Sequence, residues 1–122
     1  MRVISQEHTI FIDVDDTLVM WGKAKKGERV IHVTCPYNHQ QEVLRPHKGH
    51  IKVLKDRHAR GSYITVWSAG GYQWANAVVK ALGLERYVDQ VMSKPSIYID
   101  DKKAKDVLGE RLYIPYGDNY GG

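Results

Sequence analysis

From His8 to Val14 the chain reads HTIFIDV, β-branched and aromatic, and nearly continuously apolar from Ile10 to Ile12. Such a run predicts a central strand covered on both faces. A polar, glycine-bounded loop follows at residues 22–28, GKAKKGE. RVIHVT and QEVLR then predict two short strands around a turn, CPYNHQ. From Lys48 to Arg60 the period becomes helical, with Ile51, Leu54, Lys55 and His58 at spacings of three and four, and Gly61 marks its end. SYITVWS (62–68) is a second clear strand. GYQWANAVVKALGL is a helix with Trp74, Ala77, Val78, Ala81 and Leu82 on one face. VDQVMS predicts a short strand, SIYID (96–100) another, DKKAKDVLG a short helix, RLYIP a last strand, and YGDNYGG a loose tail.

Strands alternate with helices, which predicts a parallel α/β sheet with helices on both faces. In such sheets a ligand binds outside the carboxyl ends of the strands. The residues that end the strands therefore matter most. The first strand ends in Asp13-Val14-Asp15-Asp16-Thr17, the second at Ser68, the third just before Lys94, and the fourth at Asp100-Asp101. Each has an ordinary explanation alone: a turn aspartate, a helix cap, a solvated lysine, a charge pair at a helix start. Four such ends converging on one sheet edge is a poorer match to those explanations. Crowded carboxylates repel one another, so the first cluster makes sense beside something positive.

In order and spacing these residues resemble the haloacid dehalogenase-like superfamily of phosphohydrolases. D-x-D-x-T is matched by Asp13, Asp15 and Thr17, the Ser or Thr ending the second strand by Ser68, the lysine by Lys94, and the acidic pair by Asp100 and Asp101 in IYIDDK. The resemblance implies a three-layer, doubly wound parallel sheet and a phosphatase that hydrolyses a phosphate monoester through an aspartyl-phosphate. It implies Asp13 as nucleophile and Asp15 as general acid and base, two residues apart in an extended segment and so on one side. Thr17, Ser68 and Lys94 would hold the loop and the phosphoryl oxygens. Mg²⁺ is the implied cofactor, on Asp13, Asp15 through its backbone carbonyl, Asp100, and Asp101 either directly or through water. Asp16 reads as a turn residue without a chemical role.

The gap between Ser68 and Lys94 leaves no room for a cap domain. About residues 18–47 form a β-hairpin flap within a single domain covering 1–122. In the family that the chain resembles, an open site of this kind goes with large substrates or with closure by another subunit. The charge of the chain, +4, gathers in Lys23, Lys25, Lys26 and Arg29 and in Lys52, Lys55, Arg57 and Arg60. With Trp21, Tyr37 and Tyr72 as candidate stacking rings, this points to nucleotides or phosphorylated nucleic acid ends as partners. A non-catalytic nucleic-acid-binding module and a phosphotransferase or mutase are the other readings of the same fold, the mutase disfavoured for want of a cap. Cys35, His39, His47 and His50 offer soft and imidazole ligands for a structural metal, at a spacing that fits no zinc pattern. One cysteine precludes an internal disulfide and suits a reducing, cytoplasmic setting. No apolar run or signal core suggests a membrane.

Overall fold

The computed structural model describes residues 5–117. Three parallel strands form the main sheet in the order β1-β5-β6: β1 Ser5–Asp13, β5 Ser62–Ser68 and β6 Gln90–Ser93. The helices α1, Lys48–Ala59, and α2, Tyr72–Ala81, connect them. A second, antiparallel sheet is the flap, in the order β2-β4-β3: β2 Val19–Met20, β3 Ile31–Thr34 and β4 Gln41–Pro46. A 3₁₀ turn, Glu85–Tyr87, leads into β6, and α3, Ala104–Val107, is a single turn. No helix among the described residues is long and apolar enough to cross a membrane.

Register sets the level of the strand ends. Asp13 pairs with Trp67, and Ser68 pairs with Ser93, so Asp13, Ser68 and Lys94 finish within about one residue of each other across the sheet. The Ser68 carbonyl accepts from the amides of both Gly71 and Lys94, at 3.1 and 2.9 Å, which joins the end of β5 to the start of α2 and to the residue after β6.

One core serves both sheets. Ile12, Ile64 and Val66 from the main sheet, Leu54 from α1 and Trp74, Val78 and Val79 from α2 pack with Val19, Ile31, Val33 and Leu44 from the flap. The flap alternates as a half-buried sheet should: Ile31 and Val33 are buried, His32 and Thr34 exposed. It is therefore a packed part of the body. Parallel crossovers that step the same way are both right-handed and bring α1 and α2 to the same face. On the other face Phe11 and Trp67 meet edge to face, centroids 4.5 Å apart, with Phe11 still 42% exposed. The architecture among the described residues is thus α/β with a three-stranded parallel sheet covered on one side.

The sequence pattern placed most elements within a residue or two, and missed beyond β6. SIYID is not a strand: Ile97 is 84% exposed and Ile99 fully so. Strand propensity is realised only against a neighbour. This segment instead folds on itself, with the Lys102 amide donating to Asp100 and the Tyr98 hydroxyl to the Lys102 carbonyl. The helix expected in DKKAKDVLG shrinks to one turn, as short helices do without a packing surface. The tail beyond Gly117 lies outside the described residues.

RLYIP is not a strand either, because two histidines take its backbone groups. His47 and His50 are 1% and 5% exposed and stacked, centroids 3.8 Å apart. The Ile114 amide donates to His50 Nε2 at 2.8 Å, so Nδ1 carries the hydrogen and donates to the Thr17 carbonyl at 2.8 Å. The His50 amide donates to His47 Nδ1, leaving Nε2 to donate to the Ile114 carbonyl at 2.7 Å. The Tyr113 hydroxyl donates to the Asp16 carbonyl at 3.0 Å, and the Tyr116 hydroxyl to Glu28. Residues 113–116 are thereby strapped over α1 to the loop after β1.

Burial pushes the His50 imidazole below its ordinary value, with the His47 ring acting the same way and the Thr17 carbonyl opposing. Above about pH 6.5 neither the folded nor the unfolded state binds this proton, and its contribution to stability is complete. As pH falls below that value the unfolded chain protonates and the folded chain resists, so stability is lost. Thermal midpoints should fall between pH 7 and pH 5 more steeply for the wild type than for His50→Gln. Parallel profiles would show that His50 does not carry the effect.

Candidate active site

The loop after β1 is built around one carbonyl. Val14, fully buried, accepts from the amides of Thr17, Leu18 and Val19 at 3.3, 3.0 and 3.2 Å. Asp16 takes the left-handed conformation, φ 59°, which aspartate tolerates, and its carboxylate accepts from the Trp21 amide. It acts as the turn residue the sequence suggested. Asp13 and Asp15 are left facing the open end of the sheet.

Asp13 meets Lys94 and Thr17. The Lys94 ammonium is 3.2 Å from Oδ1, and the Thr17 hydroxyl donates to Oδ2 at 3.3 Å. The pair is about one-third exposed, so it adds little stability and serves to set charge at the site. Lys94 reaches Asp13 across the ring of Trp67, 5.7 Å from its centroid.

Asp15 is held differently. The indole N–H groups of Trp21 and Trp74 both donate to Oδ1, at 2.8 and 3.1 Å, and Ser68 Oγ donates to Oδ2 at 3.3 Å. Ser68 Oγ in turn accepts from the Gly70 amide at 3.0 Å. The oxygen–oxygen contacts of Thr17 and Ser68 are long for such bonds, whereas the Trp21 contact is short and well inside the normal range.

The start of α2 forms the remaining wall. Gly71 sits at φ 99°, and a Cβ there would collide with the Tyr37 hydroxyl, which reaches in from the tip of the β3–β4 hairpin. The backbone conformation is what favours glycine here, since the half-exposed Tyr37 ring could swing away. The Tyr72 amide donates to Ser93 Oγ at 2.8 Å. The positive end of the helix thus lies beside the carboxylates and Lys94.

Asp13, Asp15, Thr17, Ser68 and Lys94 are therefore brought together from the ends of three strands. Asp100 and Asp101 are not: both are exposed, and the Lys102 amide, donating to Asp100 at 2.9 Å, holds its carboxyl below the usual carboxylate range. No group of three or more His, Cys, Asp or Glu placed to hold a metal ion occurs among the described residues. The expected Mg²⁺ set, the carboxylates of Asp13, Asp100 and Asp101 with the Asp15 carbonyl, is therefore not assembled among the described residues. The set of Cys35, His39, His47 and His50 does not form either. Both histidines spend their ring nitrogens on the strap, while Cys35 and His39 close the hairpin turn, the Cys35 amide donating to the Gln40 carbonyl and the His39 amide to the Cys35 carbonyl.

Sequence spacing had no means of finding Trp74 as a partner of Asp15, since 59 residues separate them. Its helical period marked it as core, and it is: 6% exposed, with one polar atom aimed at the carboxylate. Trp21 stands 6.1 Å from it, ring to ring. No family model, curated protein or solved structure matches the chain.

The two indoles give a test that does not depend on function. A hydrogen bond to a charged group contributes about 1.5–3 kcal/mol when removed, less where solvent competes as at Trp21. A double-mutant cycle of Trp21→Phe with Asp15→Ala, read by urea unfolding, should give a coupling of about 1 kcal/mol. A coupling of zero would show that this contact does not form.

Proposed function

We propose that the chain is a phosphomonoesterase with Asp13 as nucleophile and Asp15 as proton carrier. The observation that carries this reading is the pairing of Asp13 with Lys94 at 3.2 Å, in register with Ser68 at the open ends of three parallel strands. An ammonium and two hydroxyls can donate to the oxygens of a tetrahedral oxyanion, and the carboxylate beside them supplies a nucleophile.

Asp13 attacks phosphorus and the ester P–O bond breaks. The leaving oxygen takes its proton from Asp15, and Asp13 carries the phosphoryl group. Water then attacks phosphorus, gives its proton to Asp15, and the Asp13–phosphorus bond breaks to release phosphate. Lys94, beside Asp13, would supply positive charge to the equatorial oxygens. The indoles of Trp21 and Trp74 hold Asp15 by Oδ1, which leaves Oδ2, with its long contact to Ser68, as the oxygen that carries the proton.

Mg²⁺ is the cofactor that the resemblance implies, and when bound it would offset charge on the carboxylates and the phosphoryl group. Asp13 and Asp15 are the donors that the site offers, too few by themselves, and no step above is routed through the ion. The three-layer sheet is the finer part of the same proposal. It needs residues 96–101 to pair along the free edge of β1, with the chain beyond them covering Phe11 and Trp67. Ile97, Ile99, Leu108 and Leu112, all exposed, supply apolar surface for that purpose. Asp100 and Asp101 would then end a strand beside Asp13. The exposed acidic pair favours a second reading, a non-catalytic module that binds phosphorylated nucleic acid without turning it over.

Phosphate release from an activated aryl phosphate and from 5′- and 3′-phosphorylated oligonucleotides separates the two. Asp13→Asn, which matches the carboxylate in size, should reduce turnover by at least about a hundredfold with the fold intact. Retained turnover would reject covalent catalysis by Asp13, and no turnover by the wild type on any phosphate would favour the binding module. Asp100→Asn/Asp101→Asn is expected to abolish the Mg²⁺-dependent part of the rate. An unchanged Mg²⁺ response would leave the exposed placement of these two residues as the working one.

A further inference from the structure

The two basic clusters of the sequence meet in space, away from Asp13. A groove of about 360 Å³ runs between the flap loop and α1, lined by Arg29, Lys48, Ile51, Lys52, Lys55 and Asp56. Its lining holds four cationic side chains and one carboxylate. Lys48, Lys52 and Lys55 recur at spacings of four and three, so they share one helix face, opposite the buried His50, and span about 10 Å along the axis. Arg29 comes from another part of the chain. Lys23, Lys25 and Lys26, all exposed, continue the charge along the same loop.

The walls of this groove are held apart by fixed contacts. The loop closes as a turn, with the Lys25 amide donating to Glu28 and the Glu28 amide to the Lys25 carbonyl. Glu28 is then tied to Tyr116 and Arg45, and the Tyr116 ring packs against His47 at the start of α1. Lys55 lies 5.3 Å from the centre of the Tyr87 ring, which steadies its ammonium. Like charges assembled on a braced frame repel one another, and a bound polyanion relieves that repulsion.

We infer that this groove binds the sugar-phosphate backbone of a nucleic acid strand. A line of ammonium groups one helical turn apart matches a chain of regularly repeated phosphates, and lysine accepts a phosphate in any orientation. The groove is concave and Ile51 is its one apolar lining residue, features that fit a chain and not a membrane plane. The site is independent of the Asp13 chemistry, since no lining residue belongs to it.

The test is binding alone, by fluorescence anisotropy with the full chain and a labelled single-stranded DNA that carries no terminal phosphate, without Mg²⁺. With up to four phosphates neutralised, the slope of log affinity against log salt should be about −2.8, a loss of roughly 50-fold between about 50 and 200 mM. Lys52→Gln/Lys55→Gln removes two contacts and should bring the slope to about −1.4, a loss of roughly sevenfold over the same range. Arg29→Gln alone should give an intermediate slope. All three substitutions are on the surface, and unchanged thermal melting confirms the fold. Three results would each overturn the inference: no binding at the lower salt, a slope that the substitutions leave alone, or equal competition by polyglutamate or by phosphatidylserine vesicles. None of these bears on phosphatase activity, which is read separately.

Discussion

The carbonyl of Ser68 is the joint on which the site depends. By accepting from Gly71 and Lys94 together it fixes where α2 begins and where the chain leaves β6. The side chain of the same residue faces Asp15. A parallel sheet ends its strands on one edge, but register decides whether those ends are level. Here the pairings of Asp13 with Trp67 and of Ser68 with Ser93 make them so. An ammonium can then reach a carboxylate across β5 at 3.2 Å.

The loop after β1 is held from both sides. From the flap, Trp21 reaches Asp15 and its amide reaches Asp16, while Arg45 holds the Trp21 carbonyl. From the far end of the chain, Tyr113 holds the Asp16 carbonyl, and Ile114 is bound by His50, which also holds Thr17, and by His47, which caps α1. Some of these contacts are neutral pairs, modest one by one, and the others involve the charged side chains of Asp15, Asp16 or Arg45. They add to the burial of Val14, Leu18 and Val19, which fixes the apolar side of the same loop. The flap is anchored by apolar packing instead, through Val33 and Leu44, each contributing about 1.5–3 kcal/mol by burial. A packed flap leaves the sheet edge open to solvent and a basic groove on its outer side.

Local pattern determined most elements through β6, the short β2 and the 3₁₀ turn excepted: the apolar run of β1, the alternation in β3, the helical periods of α1 and α2, and the turn residues between them. It also picked out Asp13, Asp15, Thr17, Ser68 and Lys94, because in a parallel sheet the ends of strands are near one another whatever the loops do. Periodicity records which face of an element is apolar, and that is a property of a short window. Tertiary structure alone decided what depends on partners distant in sequence. SIYID has the composition of a strand and no neighbour, so it turns on Asp100. RLYIP has one too, but its backbone groups go to imidazoles. The indole N–H of Trp74 meets Asp15 across 59 residues, His47 and His50 stack as a strap where spacing suggested metal ligands, and Arg29 joins Lys52 and Lys55 in one groove. Hydrogen-bond donors and charges carry no period along a chain. Where they act is set by what folding brings within about 3 Å of them.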